Sequence, residues 1–136
     1  MIEPGLKNET TWLVEERHLV SAWVGGAASV FATPMLVALC EESARTMIEP
    51  LLPPGQLTVG TWINLRHLAA TPPGLHATAR AELIEVDGRR LRFRIEAWDE
   101  AEPIGEAEHE RFIVDMDRFS GHLAEKIRRV RGENTA

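Results

Sequence analysis

Residues 33–55 read TPMLVALCEESARTMIEPLLPPG, and this stretch decides the fold. Thr33 is a good N-cap. Pro34 then takes the first helical position, where its missing N–H costs nothing. Leu36, Leu39, Cys40, Ser43 and Met47 recur at helical spacing and form one buried stripe. Pro50, then Pro53-Pro54-Gly55, end the helix. The chain is thereby organised around one long helix with strands on either side.

Upstream, residues 1–10 are polar and extended, residues 11–16 (TWLVEE) form a short first strand, and Gly25-Gly26-Ala27-Ala28-Ser29 is a small-residue loop. Downstream, residues 56–117 read as strands. In 57–67, the residues Leu57, Val59, Thr61, Ile63, Leu65 and His67 share a face by the period of two. Thr71-Pro72-Pro73-Gly74 is a turn. Ala77, Ala79, Ala81 and Leu83 line one face of the next strand, and Asp87-Gly88 signals a hairpin. Leu91, Phe93, Ile95 and Ala97 then alternate with Arg90, Arg92, Arg94 and Glu96. In the last strand, roughly 104–116, the polar set Glu106, Glu108 and Glu110 gives way on the same parity to Phe112, Val114 and Met116. That change predicts a bulge, or a strand buried differently at its two ends. Residues 118–130 form a short basic amphipathic helix. One helix beside an antiparallel meander is an α+β layer architecture.

A chain of 136 residues suits a single domain, here 1–136. Hydrophobic residues at 44 % and charged residues at 26 % are the balance of a globular protein. The net charge of −6 argues against nucleic acid as a partner, since backbone binding needs clustered Lys and Arg. The one cysteine, Cys40, allows no intrachain disulfide, which fits a reducing compartment. No apolar run is long enough to span a membrane, and the N-terminus lacks the order of a signal peptide. A cytoplasmic protein is expected. The five histidines show no metal-ligand spacing, and no phosphate-cradling loop or nucleophile elbow is present, so neither metal nor cofactor is expected.

The residues left to carry chemistry are Thr33, Glu41 or Glu42, Gly60 and His67. Each also has an ordinary reading. Thr33 serves as a plain cap, and Glu41-Glu42 as solvated helix surface, with Glu41 free to pair with Arg45. His67 reads as a satisfied core histidine, Gly60 as a bulge, and His109 with Arg111 as a cross-strand polar pair. Cys40 reads as packing, and Lys126, Arg128, Arg129 and Arg131 as a solvated face. Thr33 and Glu41 lie two helical turns apart, about 12 Å along the axis.

The sequence resembles the fluoroacetyl-CoA thioesterase type of hot-dog protein. Val30-Phe31-Ala32-Thr33 with Leu39 and Glu41 carries the first part of the match. Val59-Gly60-Thr61, His67 and Ala69-Ala70-Thr71-Pro72-Pro73-Gly74 carry the second. Glu82-Leu83, Val86, Gly88-Arg89-Arg90-Leu91, Ala97, Asp99, Ile104-Gly105 and His109-Glu110-Arg111 carry the third. The resemblance implies an antiparallel sheet wrapped around one long central helix. It also implies a homodimer with sites at the subunit interface and an acyl-CoA-type substrate. Glu41 would be the catalytic carboxylate, Thr33 would orient the reacting group and His67 would donate a proton or stabilise charge. The Gly60 N–H would position the thioester carbonyl, with Phe31 and Arg66 also contacting substrate. The lid phenylalanines of that family's best-known member have no counterpart in residues 24–29, so a more open pocket and a different acyl group are expected.

The chemistry expected is hydrolysis of a small or medium acyl thioester. A poorly hydrated carboxylate at a helix–sheet interface suits a general base, and a backbone N–H suits the developing oxyanion. A non-catalytic acyl-CoA or acyl-carrier binding module is the alternative, and it would tolerate loss of the Glu41 charge. A hydratase or dehydratase on the same fold is a further rival, but its usual Asp and His motif is absent. Fold alone does not decide among them.

Overall fold

The computed structural model describes residues 1–132. Alternation of apolar residues builds the sheet. Ala77, Ala79, Ala81 and Leu83 on β3 (His76–Asp87) are buried, as are Leu91, Phe93, Ile95 and Ala97 on β4 (Arg90–Trp98). The two strands pair antiparallel through the tight turn at Gly88, whose φ of 61° lies in the left-handed region that glycine adopts without strain. β5 (Pro103–Asp115) pairs with β4, β2 (Gln56–His67) with β5, and β1 (Lys7–Leu13) with β3. The order is β1-β3-β4-β5-β2, with antiparallel neighbours throughout.

Helix α1 (Thr33–Ile48) lies against the apolar face and touches all five strands, which is the hot-dog arrangement. The predicted stripe of Leu36, Leu39, Cys40, Ser43 and Met47 is buried, joined by Ala44 and Ile48. Burying a leucine of this kind contributes about 2 kcal/mol. Opposite the helix, β3 offers alanines, whose small side chains let it approach closely. Asn8 of β1 fastens the helix by donating to the Ser43 carbonyl and the Thr46 hydroxyl.

Several local expectations change. The first strand starts at Lys7, not Thr11, because Lys7 to Leu13 pair with Glu82 to His76. It is a polar strand at the sheet edge, where charge discourages further pairing. Residues 16–18 are a 3-10 turn rather than the end of that strand. The N-cap of α1 is Ala32. Thr33 is the first helical residue, and its side chain makes no capping bond. Within β2 the register with β5 shifts between Gly60 and Trp62, so Thr61 is a bulge. Helix α2 (Met116–Arg131) has no buried residue, and Leu123, Ile127 and Val130 stay exposed along one stripe.

Candidate active site

The bulge at Thr61 determines which β2 residues face the helix. β5 presents Gly105, Ala107, His109 and Arg111 inward, all buried. Across from them stand His67, Leu65, Ile63 and Gly60. A strict period of two puts Gly60 and His67 on opposite faces, because they are seven residues apart. The extra residue at Thr61 restores them to one face.

At one end of this face, the Thr33 hydroxyl lies 2.8 Å from His67 Nδ1. Both residues are held by backbone. The Phe31 N–H donates to the Thr71 carbonyl and the Ala32 N–H to the His18 carbonyl, which fixes the entry to α1. The Leu68 N–H donates to the Ile104 carbonyl just past His67. Thr71 is itself buried and donates its hydroxyl to Asp99. The Thr-Pro-Pro-Gly turn thus anchors the entry to α1, and with it Thr33. His67 Nε2 is buried without a hydrogen-bond partner. Burial lowers the pKa of this ring, partly offset by the Ala69 backbone.

At the other end, Glu41 lies beneath Gly60. A Cβ at Gly60 would overlap the Glu41 carboxylate, so glycine there makes room for it. The doublet Glu41-Glu42 divides its tasks. Arg45 pairs with Glu42 and Glu49 at the surface and leaves Glu41 free. The groups nearest the Glu41 carboxylate are His109 Nε2 at 3.7 Å and Arg111 Nη1 at 3.8 Å, neither at hydrogen-bonding distance. Its side chain keeps 39 % of its exposure, enough to meet a substrate. Cys40, next in sequence, is no competing nucleophile, because burial and then the Glu41 charge push its thiol up to about 12.

His109 and Arg111 are the residues the sequence left as an ordinary polar pair. Both are buried. The available signal was their parity on β5, shared with the inward Ala107; two such side chains on a buried face need partners. His109 Nδ1 lies 2.8 Å from the Trp62 carbonyl, which can only accept, so Nδ1 carries the proton. Nε2 of the neutral ring then accepts from Arg111 Nη1 at 3.2 Å. Arg111 also donates from Nε to Thr58 Oγ1 and from Nη2 to the Thr58 carbonyl. Burial is the largest influence lowering the His109 pKa, and the adjacent Arg111 cation adds to it. Burial also lowers that of Arg111, with Glu41 and Glu49 opposing.

The other two candidates sit elsewhere. Phe31 is wholly buried, packed edge-on against His18 with ring centres 6.0 Å apart. Arg66 lies on the parity of β2 opposite to His67. It lines a depression of about 230 Å³ on the outer face with Asn64, Arg94, Glu96 and Glu106. Within one chain, therefore, two clusters form, Thr33–His67 and Glu41–Gly60–His109–Arg111. They are separated by about 12 Å of helix and roughly 20 Å of strand.

The family model described as fluoroacetyl-CoA-specific thioesterase (FlK) matches residues 14–117. A fluoroacetyl-CoA thioesterase from Streptantibioticus cattleyicolor is 42 % identical over 97 residues, which is 71 % of this chain and 70 % of that protein. A crystal structure of a phenylalanine-to-alanine mutant of FlK superposes with a TM-score of 0.88 at 34 % identity, covering 93 % of this chain and 98 % of that one. A Thermus thermophilus hypothetical protein, a thioesterase superfamily member, gives a TM-score of 0.90 at 25 % identity over 97 % of this chain and 98 % of that one. A second structure of the same FlK mutant, in complex with fluoroacetate and CoA, matches at a TM-score of 0.83 and 35 % identity, with 87 % of this chain and 99 % of that one covered.

Proposed function

The chain belongs to the fluoroacetyl-CoA-specific thioesterase family, and we propose that it hydrolyses a small or medium acyl-CoA thioester, with Glu41 as the catalytic carboxylate. The observation that carries this reading is the position of Glu41, partly exposed beneath Gly60 and without a hydrogen bond of its own. A carboxylate whose lone pairs are not consumed by the protein is available to a water molecule or to the thioester carbon. In either case the Gly60 N–H supports the oxyanion that develops at the carbonyl. His67 is held by Thr33 through Nδ1, which leaves Nε2 to meet the thioester end of the substrate. A thiolate is a good leaving group, so modest proton assistance suffices. In this reading Arg66 and Phe31 act at the margins, Arg66 towards the carrier and Phe31 as packing behind the acyl group.

The two clusters become one site if a second copy pairs along β2. That strand is 12 residues long and has one edge unpaired in the sheet. A long bare edge is a template for another strand. With Thr61 as the extra residue, an antiparallel partner related by a two-fold axis through Asn64 sets Gly60 opposite the partner's His67. Thr33–His67 of each chain then stands beside Glu41 of the other. A homodimer with two composite sites follows from this placement.

The binding-module alternative has no observation in its favour, since the named relatives are thioesterases. No helix among the described residues is long and apolar enough to cross a membrane. The proposed location is the cytoplasm, in keeping with the lone buried thiol.

The test is free-thiol release from a panel of short, branched and aromatic acyl-CoAs, wild type against Glu41→Gln. Turnover by the wild type that the variant loses supports the proposal and begins to name the acyl group. Tight acyl-CoA binding with no turnover on any substrate would restore the binding module.

A further inference from the structure

We infer that Arg111, locked in place by Thr58 and His109, is a positioning residue for Glu41, holding the carboxylate by charge without bonding to it. This rests on the catalytic reading of Glu41. Arg111 is 5 % exposed and uses three donors on fixed acceptors: Thr58 Oγ1 at 2.8 Å, the Thr58 carbonyl at 3.0 Å and His109 Nε2 at 3.2 Å. A buried guanidinium with no carboxylate in hydrogen-bond contact is costly unless a counter-charge stands near. Glu41, at 3.8 Å, is the carboxylate recorded closest to it. Glu49, Glu42 and Arg45 act on it more weakly, and Glu41, Arg111 and Glu110 are the charges felt by His109.

The gap has a consequence for reactivity. A bidentate Arg–carboxylate pair uses both carboxylate oxygens and fixes the group as structure. At 3.8 Å the attraction persists while the lone pairs stay free for substrate or water. His109 completes the arrangement. Its Nδ1–H is committed to the Trp62 carbonyl, so its bare Nε2 stops Arg111 from turning fully onto Glu41. Trp62 follows the Thr61 bulge, so the bulge that aligns Gly60 with His67 also supplies the carbonyl that sets this tautomer.

The experiment measures kcat and KM for Arg111→Met and Arg111→Lys at one fixed pH. It adds denaturant midpoints for wild type, Glu41→Gln, Arg111→Met and the double variant. Arg111→Met is expected to lower kcat about tenfold or more with KM changed less than about threefold. Arg111→Lys keeps the charge and should recover part of the lost kcat. Glu41→Gln should lower the midpoint in the wild-type background, where it strands a buried cation, and leave it unchanged in Arg111→Met. Wild-type kcat in Arg111→Met, or strictly additive midpoints, overturns the inference. If Arg111→Met does not fold, Thr58→Val and Arg111→Lys decide: a wild-type kcat in both overturns it, and a loss in kcat at constant KM upholds it. Full activity in Glu41→Gln would instead overturn the catalytic reading itself.

Discussion

The Thr33 hydroxyl lies 2.8 Å from His67 Nδ1 and caps nothing in its own helix. A threonine at a helix start ordinarily accepts from the amides of the first turn, and its loss then costs about 1 kcal/mol of stability. Here the hydroxyl is directed instead to a histidine on an edge strand.

Thr33→Ala should therefore leave the melting temperature close to wild type while lowering thioester hydrolysis about tenfold or more. Thr33→Ser keeps the hydroxyl and should retain most of the activity. Parallel melting curves and thiol-release assays check this. A large loss of stability with activity intact would return Thr33 to a capping role.

Two inward glycines should respond differently to alanine. A Cβ at Gly60 meets the Glu41 carboxylate, so Gly60→Ala displaces the group proposed to react and should abolish most turnover. A Cβ at Gly105 would come within 2.9 Å of Leu36 Cδ2 and 3.3 Å of the Arg66 carbonyl. That is core overpacking, with a cost of about 1–3 kcal/mol. Gly105→Ala should thus lower the denaturation midpoint and leave turnover per folded molecule much less affected. Equal effects of the two variants on both readouts would contradict the assignment.

Stability should fall on acidification in a histidine-dependent way. Burial is the first cause lowering the pKa of His18, His67 and His109. The unfolded chain takes up protons near pH 6.5, where these folded rings still resist them. The unfolded state then binds more protons, so stability rises with pH through that region and is lost below it. His18 is buried beside Trp12 and Phe31, and its Nδ1 accepts the Glu15 N–H. His18→Gln offers no ring to protonate and should flatten the slope between about pH 5 and pH 7. Denaturant midpoints across that range check it, and an unchanged slope would count against it.

The sequence made the frame of the molecule plain because one helical stripe and the alternating strands needed no tertiary information. Leu36, Leu39, Leu91 and Phe93 lie in the core as their spacing requires. The site was legible as residue types but not as an arrangement. One bulged residue, Thr61, reverses the parity of β2; Gly60 within the strand signalled a bulge there, but not that its neighbour Thr61 is the extra residue. The inward aim of His109 and Arg111 was hidden for a related reason. Their burial depends on β5 lying between two strands, a fact of sheet order and not of local pattern. The start of β1 was missed because a polar edge strand such as Lys7–Leu13 is defined by its partner more than by its own residues.

In the proposed dimer, Thr33–His67 of one chain and Glu41 of its partner make one site. Co-expression of Glu41→Gln and His67→Ala chains carrying different tags allows the hybrid dimer to be isolated and assayed for thiol release. Each homodimer should be inactive. The hybrid keeps one site with both groups intact, so it should recover about half of the wild-type activity. A hybrid dimer as inactive as its parents would show that Glu41 and His67 act within one chain, and the composite site would be wrong.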